Sequence, residues 1–274
     1  LDTVPFGGNF DGAAGVVAGF LAMKSVSQST PQLTHGLRLR VWRLEESSTY
    51  KSACFGSRAA FGMFSARNSP LENKHKGRTL REALTENKLT PDMVEQSVPS
   101  IHQSEVDSIA AHVELHIEQA SLLESRQKDI GIVTGIRGVE RIKVILRGAF
   151  DHSGGTPMGT EYRRDANLAL GHILIALDQL ASEAITQGHD LVQTVGVINS
   201  DESFNSNHRD VYRNAITKVS GFAYFMLDVR TLEDSFKSEH ILRVHRAIVS
   251  IARKYGIDAE IEPIERSKAI PLLT

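Results

Sequence analysis

The chain has 274 residues, of which 41% are hydrophobic and 23% are charged, and its formal net charge is -2. A chain of this length and composition can bury one large core or two ordinary ones, which excludes an intrinsically disordered protein. No long Lys/Arg block is present, so there is no electrostatic footprint for nucleic acid or an anionic membrane. Small molecules are therefore the expected partners.

The chain contains a single cysteine, Cys54, which cannot form an internal disulfide, and we expect a cytoplasmic protein. No stretch approaches the roughly 20 apolar residues that span a bilayer, and no signal peptide is visible. Cys54 could act as a nucleophile, but no base lies nearby in the sequence, which favours a buried or structural thiol. The chain begins at Leu1 within motif-like residues, and we expect a fragment of a longer protein.

The first half of the chain predicts an α/β layer in a domain that covers residues 1–136. The small residues of GAAGVVAGFLAM, at 12–23, predict the start of a buried helix. The alternation of large apolar residues with Arg at 37–44 predicts a strand, and so does the alternation at 113–117. That second strand would carry Glu114, His116 and Glu118 on one face.

The second half predicts a separate domain over residues 137–266. Strands are predicted at 140–146, 191–198, 222–229 and 257–264. A first helix is predicted at 165–183, with Asp165 as its N-cap, and a second helix ends at Gly256. The order β-α-β-β-α-β is that of a ferredoxin-like unit. Residues 267–274 would begin the return to the first domain.

Four residues, at three places in the first domain, have side chains suited to a hydrolytic metal site. Asp11 lies between Phe10 and Gly12, where a tight backbone turn could bring its carboxylate to a metal, although Asp-Gly is also a common turn. Glu45 and Glu46 follow the strand predicted at 37–44 and could reach one site if the chain turns there; otherwise they are a solvated acidic pair. His116 is either a ligand or a structural histidine.

Two positions in the second domain could contact a substrate. His152 lies in DHSGGTPM, where two glycines and a proline predict a rigid turn, and it is either functional or bonded to local backbone. Arg230 follows Asp228 on a predicted strand and could bind a substrate carboxylate with two hydrogen bonds, or form a surface ion pair. Arg163 and Arg164 are predicted to form a charged helix start with Asp165.

Several segments, in this order, resemble a known enzyme family over nearly the whole chain: LDTVPFGGNFDGAAGV, WRLEES, GSRAAFG, ELHIEQ, GIVTGIRG, DHSGGTPM, YRRDAN and LDVR. The family is the zinc amidohydrolases that include N-carbamoyl-L-amino-acid hydrolase, allantoate amidohydrolase and β-ureidopropionase, within the aminoacylase and carboxypeptidase G superfamily. The resemblance implies a metallopeptidase-like α/β catalytic domain, incomplete in this chain, with an inserted ferredoxin-like β-α-β-β-α-β lid and dimerisation domain.

The resemblance also implies roles for individual residues. Two divalent metal ions, zinc ahead of Mn, Co or Ni, would be held in part by Asp11 as the bridging carboxylate, with Glu46 and His116 as ligands of one metal each. Glu45 matches the family's general base. His152 resembles the lid histidine that crosses a dimer interface to polarise the substrate oxygen. The assembly expected is a homodimer.

Further residues match the family's substrate contacts, and some positions depart from its pattern. Arg230 resembles the residue that binds the α-carboxylate, and Gln119 lies in the motif that lines the pocket. The family's lid Asn would fall near Thr217, with Ser220 in place of Pro, and Asn214 is the nearest substitute. The family's first and last histidine ligands would fall outside residues 1–274.

These observations predict a metal-dependent hydrolase of C-N bonds in linear amides or ureides. N-carbamoyl-L-amino acids are the leading substrates. Two alternatives stay open: a catalytically incomplete remnant that dimerises or binds a ligand, and an aminoacylase or peptidase type of activity.

Overall fold

The computed structural model describes residues 4, 6–29, 32–64, 70–201 and 215–272 of the chain. The chain divides into two compact units, Leu1–Ile130 and Gly131–Thr274. The division falls slightly earlier than the predicted boundary after residue 136, within the same Gly-rich segment.

The first unit is mainly helical. Its helices are α1 (Ala13–Ser29), α2 (Phe55–Ala60), α3 (Leu80–Glu86), α4 (Pro91–Glu95), α5 (Gln103–Asp107) and α6 (Leu122–Ser125), with a 3-10 turn at Pro70–Glu72. A short hairpin pairs β1 (Lys74–His75) with β2 (Arg78–Thr79). A small core lies around α2 and α3 and consists of Tyr50, Phe55, Phe64, Leu71, Leu80 and Leu84.

One prediction for this unit is wrong in part and two are wrong. The small-residue helix forms as α1, but none of its residues is buried, and Phe20 is 54% exposed. The predicted strands at 37–44 and 113–117 do not form. A strand exists only where a second strand takes up its backbone hydrogen bonds, and within the described residues neither segment has such a partner.

The second unit is built around a four-stranded antiparallel sheet. Its elements are β3 (Gly135–Ile136), β4 (Gly138–Arg147), β5 (Asp151–His152), α7 (Ala166–Thr186), β6 (Val192–Asn199), β7 (Lys218–Val219), β8 (Phe222–Thr231), α8 (Asp234–Lys254), β9 (Asp258–Arg266) and β10 (Ile270–Pro271). The strand order of the main sheet is β6-β8-β4-β9. With α7 and α8 as crossovers, this unit has the β-α-β-β-α-β order that the sequence predicts.

The main core lies between this sheet and the two long helices. Alternate residues of β4 face the helices, and Val144 and Leu146 are fully buried there, as is Phe225 of β8. Asp165 caps α7 as predicted, because its Oδ1 accepts from the backbone N–H groups of Asn167 and Leu168. Gly256, at φ 63°, follows the end of α8 as the predicted stop.

Helix α7 corrects the expectation that no segment is long and apolar enough to cross a membrane. Within the described residues, this one helix passes that test by length and composition. Its buried side chains, Ala169, Ile173 and Leu177 among them, belong to the core against the sheet. A core helix satisfies the same length and composition criteria, and α7 occupies such a position.

The two ends of the second unit lie side by side. β3 pairs with β10 in antiparallel register, with Ile136 opposite Ile270, and the backbone N–H of Leu272 donates to the carbonyl of Thr134 at 3.0 Å. Residues 134–136 and 270–272 of this unit are therefore neighbours in space.

Candidate active site

The start of α1 places Asp11 against the segment that carries His116. Gly12 adopts φ 68°, a conformation that favours glycine, and turns the chain into the helix. One turn later, a Cβ at Gly15 would lie 2.5 Å from the carbonyl oxygen of Leu115. Only glycine allows the helix to approach this backbone so closely, and the approach brings the side chains of Asp11 and His116 together.

Asp11, His116 and Gln119 form a contiguous polar group. The Nε2 of His116 lies 3.6 Å from the Oδ1 of Asp11, and the amide Nε2 of Gln119 donates to the Oδ2 of Asp11 at 2.5 Å. The Nδ1 of His116 lies 2.7 Å from the carbonyl oxygen of Ile117. A carbonyl can only accept, so Nδ1 carries the proton and the lone pair of the neutral ring lies on Nε2.

This arrangement places two hydrogen-bond acceptors face to face. A bare Nε2 and a carboxylate oxygen attract each other only if a positive charge lies between them, as a proton or as a metal ion. Zinc–ligand bonds are about 2.0–2.2 Å long for both atom types, so one ion can span the 3.6 Å separation. The backbone carbonyl bonded to Nδ1 is also a typical second partner of a metal-binding histidine. The donor pair therefore fits a divalent metal.

Glu45 and Glu46 lie where the chain turns, immediately before Ser47. The backbone N–H of Lys51 donates to the carbonyl of Ser47 at 2.8 Å, which closes the turn. The Cys54 thiol donates to the Oε1 of Glu45 at 3.4 Å. Burial first, and then the hydrogen bond to Glu45 and its negative charge, raise the pKa of the Cys54 thiol.

The contact between Cys54 and Glu45 corrects the expectation that no base lies near Cys54, and it supports the prediction that Cys54 is not a nucleophile. A carboxylate does lie beside Cys54, although none is nearby in the sequence. A thiol with a raised pKa remains protonated at neutral pH, which makes it a hydrogen-bond donor to Glu45 and a poor nucleophile.

The described residues do not bring a full set of metal ligands together. In the described parts of the chain, no group of three or more His, Cys, Asp or Glu side chains is arranged to hold a metal ion. Of the predicted ligands, Asp11 and His116 are brought together and Glu46 is not grouped with them. Glu118, from the same predicted face as His116, instead accepts from the backbone N–H groups of Leu122 and Leu123 and caps α6.

His152 has a fixed tautomer in the second unit. It ends β5, and its Nδ1 accepts from the backbone N–H groups of Gly154 and Gly155 at 3.1 and 3.0 Å. Nδ1 is therefore unprotonated, and in the neutral ring the proton lies on Nε2, which can donate to a substrate oxygen. The rigid turn that the sequence predicts is present, and the Oγ1 of Thr156 closes it by donating to the His152 carbonyl at 2.9 Å.

Sequence reasoning missed the part that Arg163 plays in this turn. The guanidinium of Arg163 donates to the carbonyls of Ser153 and Thr156, at 2.7 and 2.6 Å from Nη2, and its Nε lies 3.1 Å from the Pro157 carbonyl. Arg163 thus holds the loop that follows His152. Its sequence context, a charged helix start, gives no sign of this contact.

Arg230 lies within a row of charges that crosses the sheet. Its Nε and Nη2 donate to Oδ1 and Oδ2 of Asp228, each at 2.9 Å. Arg141, opposite Asp228 in the register of β4 and β8, donates from Nε to the same carboxylate at 3.0 Å and from Nη1 to Glu265 at 2.5 Å. Burial pushes the pKa of Asp228 upward, but the hydrogen bonds from the two arginines hold it below its usual range.

The last predicted substrate contact, Asn214, lies outside the described residues. Ser220, at the position of the family's Pro, is buried, and its Oγ donates to the carbonyl of Phe222 at 2.8 Å. Within the described residues, Ser220 therefore stabilises the start of β8 through this hydrogen bond.

The chain is similar to named proteins, although comparison with models of protein families gave no match. The chain is 30% identical to an N-carbamoyl-L-amino acid amidohydrolase of Geobacillus stearothermophilus, over 97% of this chain and 59% of that protein. It is 29% identical to an allantoate amidohydrolase of Bacillus subtilis, over 99% of this chain and 60% of that protein.

Solved structures lead to the same family. A hydantoinase/carbamoylase family amidase from Burkholderia ambifaria matches 98% of this chain and 60% of its own, with a TM-score of 0.74 and 27% identity. The chain spans about 60% of the length of each of these three relatives. Over nearly its whole length the chain is therefore homologous to amidases of the hydantoinase/carbamoylase family, and its homologues include proteins named as amidohydrolases of N-carbamoyl amino acids and of allantoate.

Proposed function

We propose that this protein hydrolyses C-N bonds in linear ureides, with N-carbamoyl-L-amino acids as the leading substrates, and that it is a cytoplasmic homodimer. The observation that carries the proposal is the pair formed by Asp11 and His116, in which a ring lone pair and a carboxylate oxygen face each other 3.6 Å apart. Relatives whose names specify N-carbamoyl amino acids and allantoate support the substrate class.

We assign the metal-binding role to the first unit. Asp11, Glu46 and His116 would hold two divalent metal ions, zinc first, with Glu46 and His116 as ligands of one ion each. A bound divalent metal lowers the pKa of water and stabilises negative charge on a carbonyl oxygen. Gln119, hydrogen-bonded to Asp11, fixes the orientation of that carboxylate.

Proton transfer is assigned to Glu45. Its carboxylate takes a proton from the attacking water and returns it to the nitrogen that leaves. The protonated thiol of Cys54 donates to Oε1 of Glu45. In the second unit, the Nε2–H of His152 would donate to the substrate oxygen as negative charge develops there. Arg230 would bind the substrate carboxylate.

The test is hydrolysis by the full-length product of the gene, with the 274-residue chain assayed in parallel. The substrates are an N-carbamoyl-L-amino acid, allantoate, an N-acetyl amino acid and a dipeptide. We expect turnover of the ureides, and we expect Glu45→Gln to lower kcat by about 10²- to 10⁴-fold with unchanged metal content. The matched control is Glu114→Gln, which changes an exposed carboxylate two residues from His116 and should keep full activity.

Each alternative has its own outcome in this assay. Preference for the N-acetyl amino acid or the dipeptide would replace the ureide assignment with an aminoacylase or peptidase activity. A metal-loaded full-length protein that turns over none of the four substrates would overturn the enzyme and leave a ligand-binding or dimerising remnant.

A further inference from the structure

We propose that Asp228 is a positioning residue that holds the Arg230 guanidinium in one orientation and leaves its outer edge to recognise a carboxylate. The inference rests on the proposed function, since it takes Arg230 as the carboxylate-binding residue. It adds a specificity role: Asp228 and Arg141 set the direction from which a carboxylate can bind to Arg230.

The hydrogen bonds to Asp228 use one edge of the Arg230 side chain. A guanidinium has five N–H groups and two edges that match a carboxylate, a side edge with Nε and Nη2 and an end edge with Nη1 and Nη2. Asp228 takes the side edge, with both bonds at 2.9 Å. Within the described part of the chain, Nη1 and the second Nη2 proton of Arg230 have no partner, so the end edge is open to a ligand.

Asp228 is in turn held by a second cation. Strand alternation places Asp228 and Arg230 on the same face of β8, and the strand register places Arg141 opposite Asp228. The Nε of Arg141 donates to Oδ2 of Asp228 at 3.0 Å. Arg141 thereby reduces the repulsion that Asp228 exerts on a carboxylate approaching Arg230, while its Nη1 pairs with Glu265. The Arg230 side chain is 45% exposed, so a ligand can reach it.

Asp228 could affect carboxylate binding in two opposite ways, and the direction in which KM changes when Asp228 is removed distinguishes them. If Asp228 only competes with the substrate for Arg230, its removal frees the guanidinium and lowers KM. If Asp228 orients Arg230, its removal lets a flexible side chain leave the binding geometry and raises KM. The geometry points to the second effect, because the edge occupied by Asp228 is not the edge left for the ligand.

The experiment compares Asp228→Asn, Asp228→Glu and Arg230→Met with wild type in the full-length protein. KM and kcat are measured for an N-carbamoyl-L-amino acid and for its carboxamide, which lacks the carboxylate. We expect Asp228→Asn to raise KM for the acid roughly tenfold, to change kcat much less, and to leave KM for the carboxamide unchanged. Asp228→Glu should recover part of the loss.

A matched control is Glu183→Gln. Glu183 accepts from Nη2 of Arg243 at 2.5 Å between α7 and α8, so its loss reports general loosening of the unit. It should leave the KM ratio of acid to carboxamide unchanged. A lower or unchanged KM for the acid in Asp228→Asn, with Arg230→Met still impaired, overturns the positioning role alone. An unchanged KM in Arg230→Met overturns the carboxylate assignment itself.

Discussion

Alternation of apolar and polar residues leads to different structures in the two units of this chain. In the second unit, alternating apolar residues form a sheet whose strands pair with one another, and the sheet buries one face under α7 and α8. In the first unit, the alternating segments at 37–44 and 113–117 form no ladder, and Val113 is 92% exposed. The same periodicity gives a strand in one unit and an unpaired segment in the other.

The difference shows what alternation specifies. It fixes which side chains share a face, but a strand also needs a neighbour for its backbone groups. Every strand of the main sheet has that neighbour between residues 138 and 266, and the described residues of the first unit supply none for its two segments. The second unit should therefore carry most of the stability of the chain.

The largest stability effect is expected from truncation of a core aromatic in the second unit. Phe225 is fully buried between the sheet and the helices, so Phe225→Ala should lower the free energy of unfolding by about 3–5 kcal/mol. Phe20→Ala, on the exposed face of α1, should cost less than about 0.5 kcal/mol. Chemical denaturation of the 274-residue chain measures both. Equal losses would remove the contrast between the units.

A smaller effect on stability is expected when glycine is replaced by alanine in α1, and the same replacement in α7 is the matched control. Gly15→Ala places a methyl group 2.5 Å from the Leu115 carbonyl, and the shift that relieves this should cost about 1–3 kcal/mol and weaken zinc binding by the chain. Gly171→Ala, in α7, meets nothing within 4 Å and should stabilise the chain by about 0.5–1 kcal/mol. Denaturation and zinc titration measure the pair, and a neutral Gly15→Ala would contradict the close approach.

The smallest expected loss of stability comes from removing the ion pair between Asp190 and Arg137 in the second unit, and this loss depends on pH. The hydrogen bond from Arg137 is the main reason that the pKa of Asp190 lies below its ordinary value. A depressed carboxylate pKa stabilises the fold above its unfolded value of about 3.9, and this stability is lost as pH falls through the folded pKa.

We therefore expect Asp190→Asn to cost about 1 kcal/mol at pH 7, since the pair is partly exposed. The cost should shrink as pH falls below about 4. Urea denaturation between pH 7 and pH 3 measures it for wild type and variant. A cost that stays constant over this range would show that the charge of Asp190 is not the source of the stabilisation.

The sequence predicted the second unit well because its signals are local. The order of strands and helices, the Asp165 cap and the Gly256 stop each depend on residues a few positions apart. The contacts that it missed depend on register or on loop path. Strand alternation alone places Asp228 beside Arg230, but only the pairing of β4 with β8 brings Arg141 to the same carboxylate.

The sequence predicted which residues belong to the candidate site. It predicted less well which of their side chains contact one another. Gln119 was predicted near a substrate, and its contact with Asp11 joins positions 108 residues apart. Glu118 was placed on the same face as His116, yet the short helix that follows uses it as a cap. Alternation could not reveal this, because the segment is not a strand.

Elemental analysis of the metal content of the full-length protein tests most directly whether Asp11 and His116 form a metal site. Hydrolysis of an N-carbamoyl-L-amino acid is assayed on the same samples of wild type, Asp11→Ala and His116→Ala. We predict about two divalent ions per wild-type chain, with metal and activity lost together in both variants. Full metal loading and full activity in Asp11→Ala and His116→Ala would contradict the assignment of these residues as the metal-binding pair.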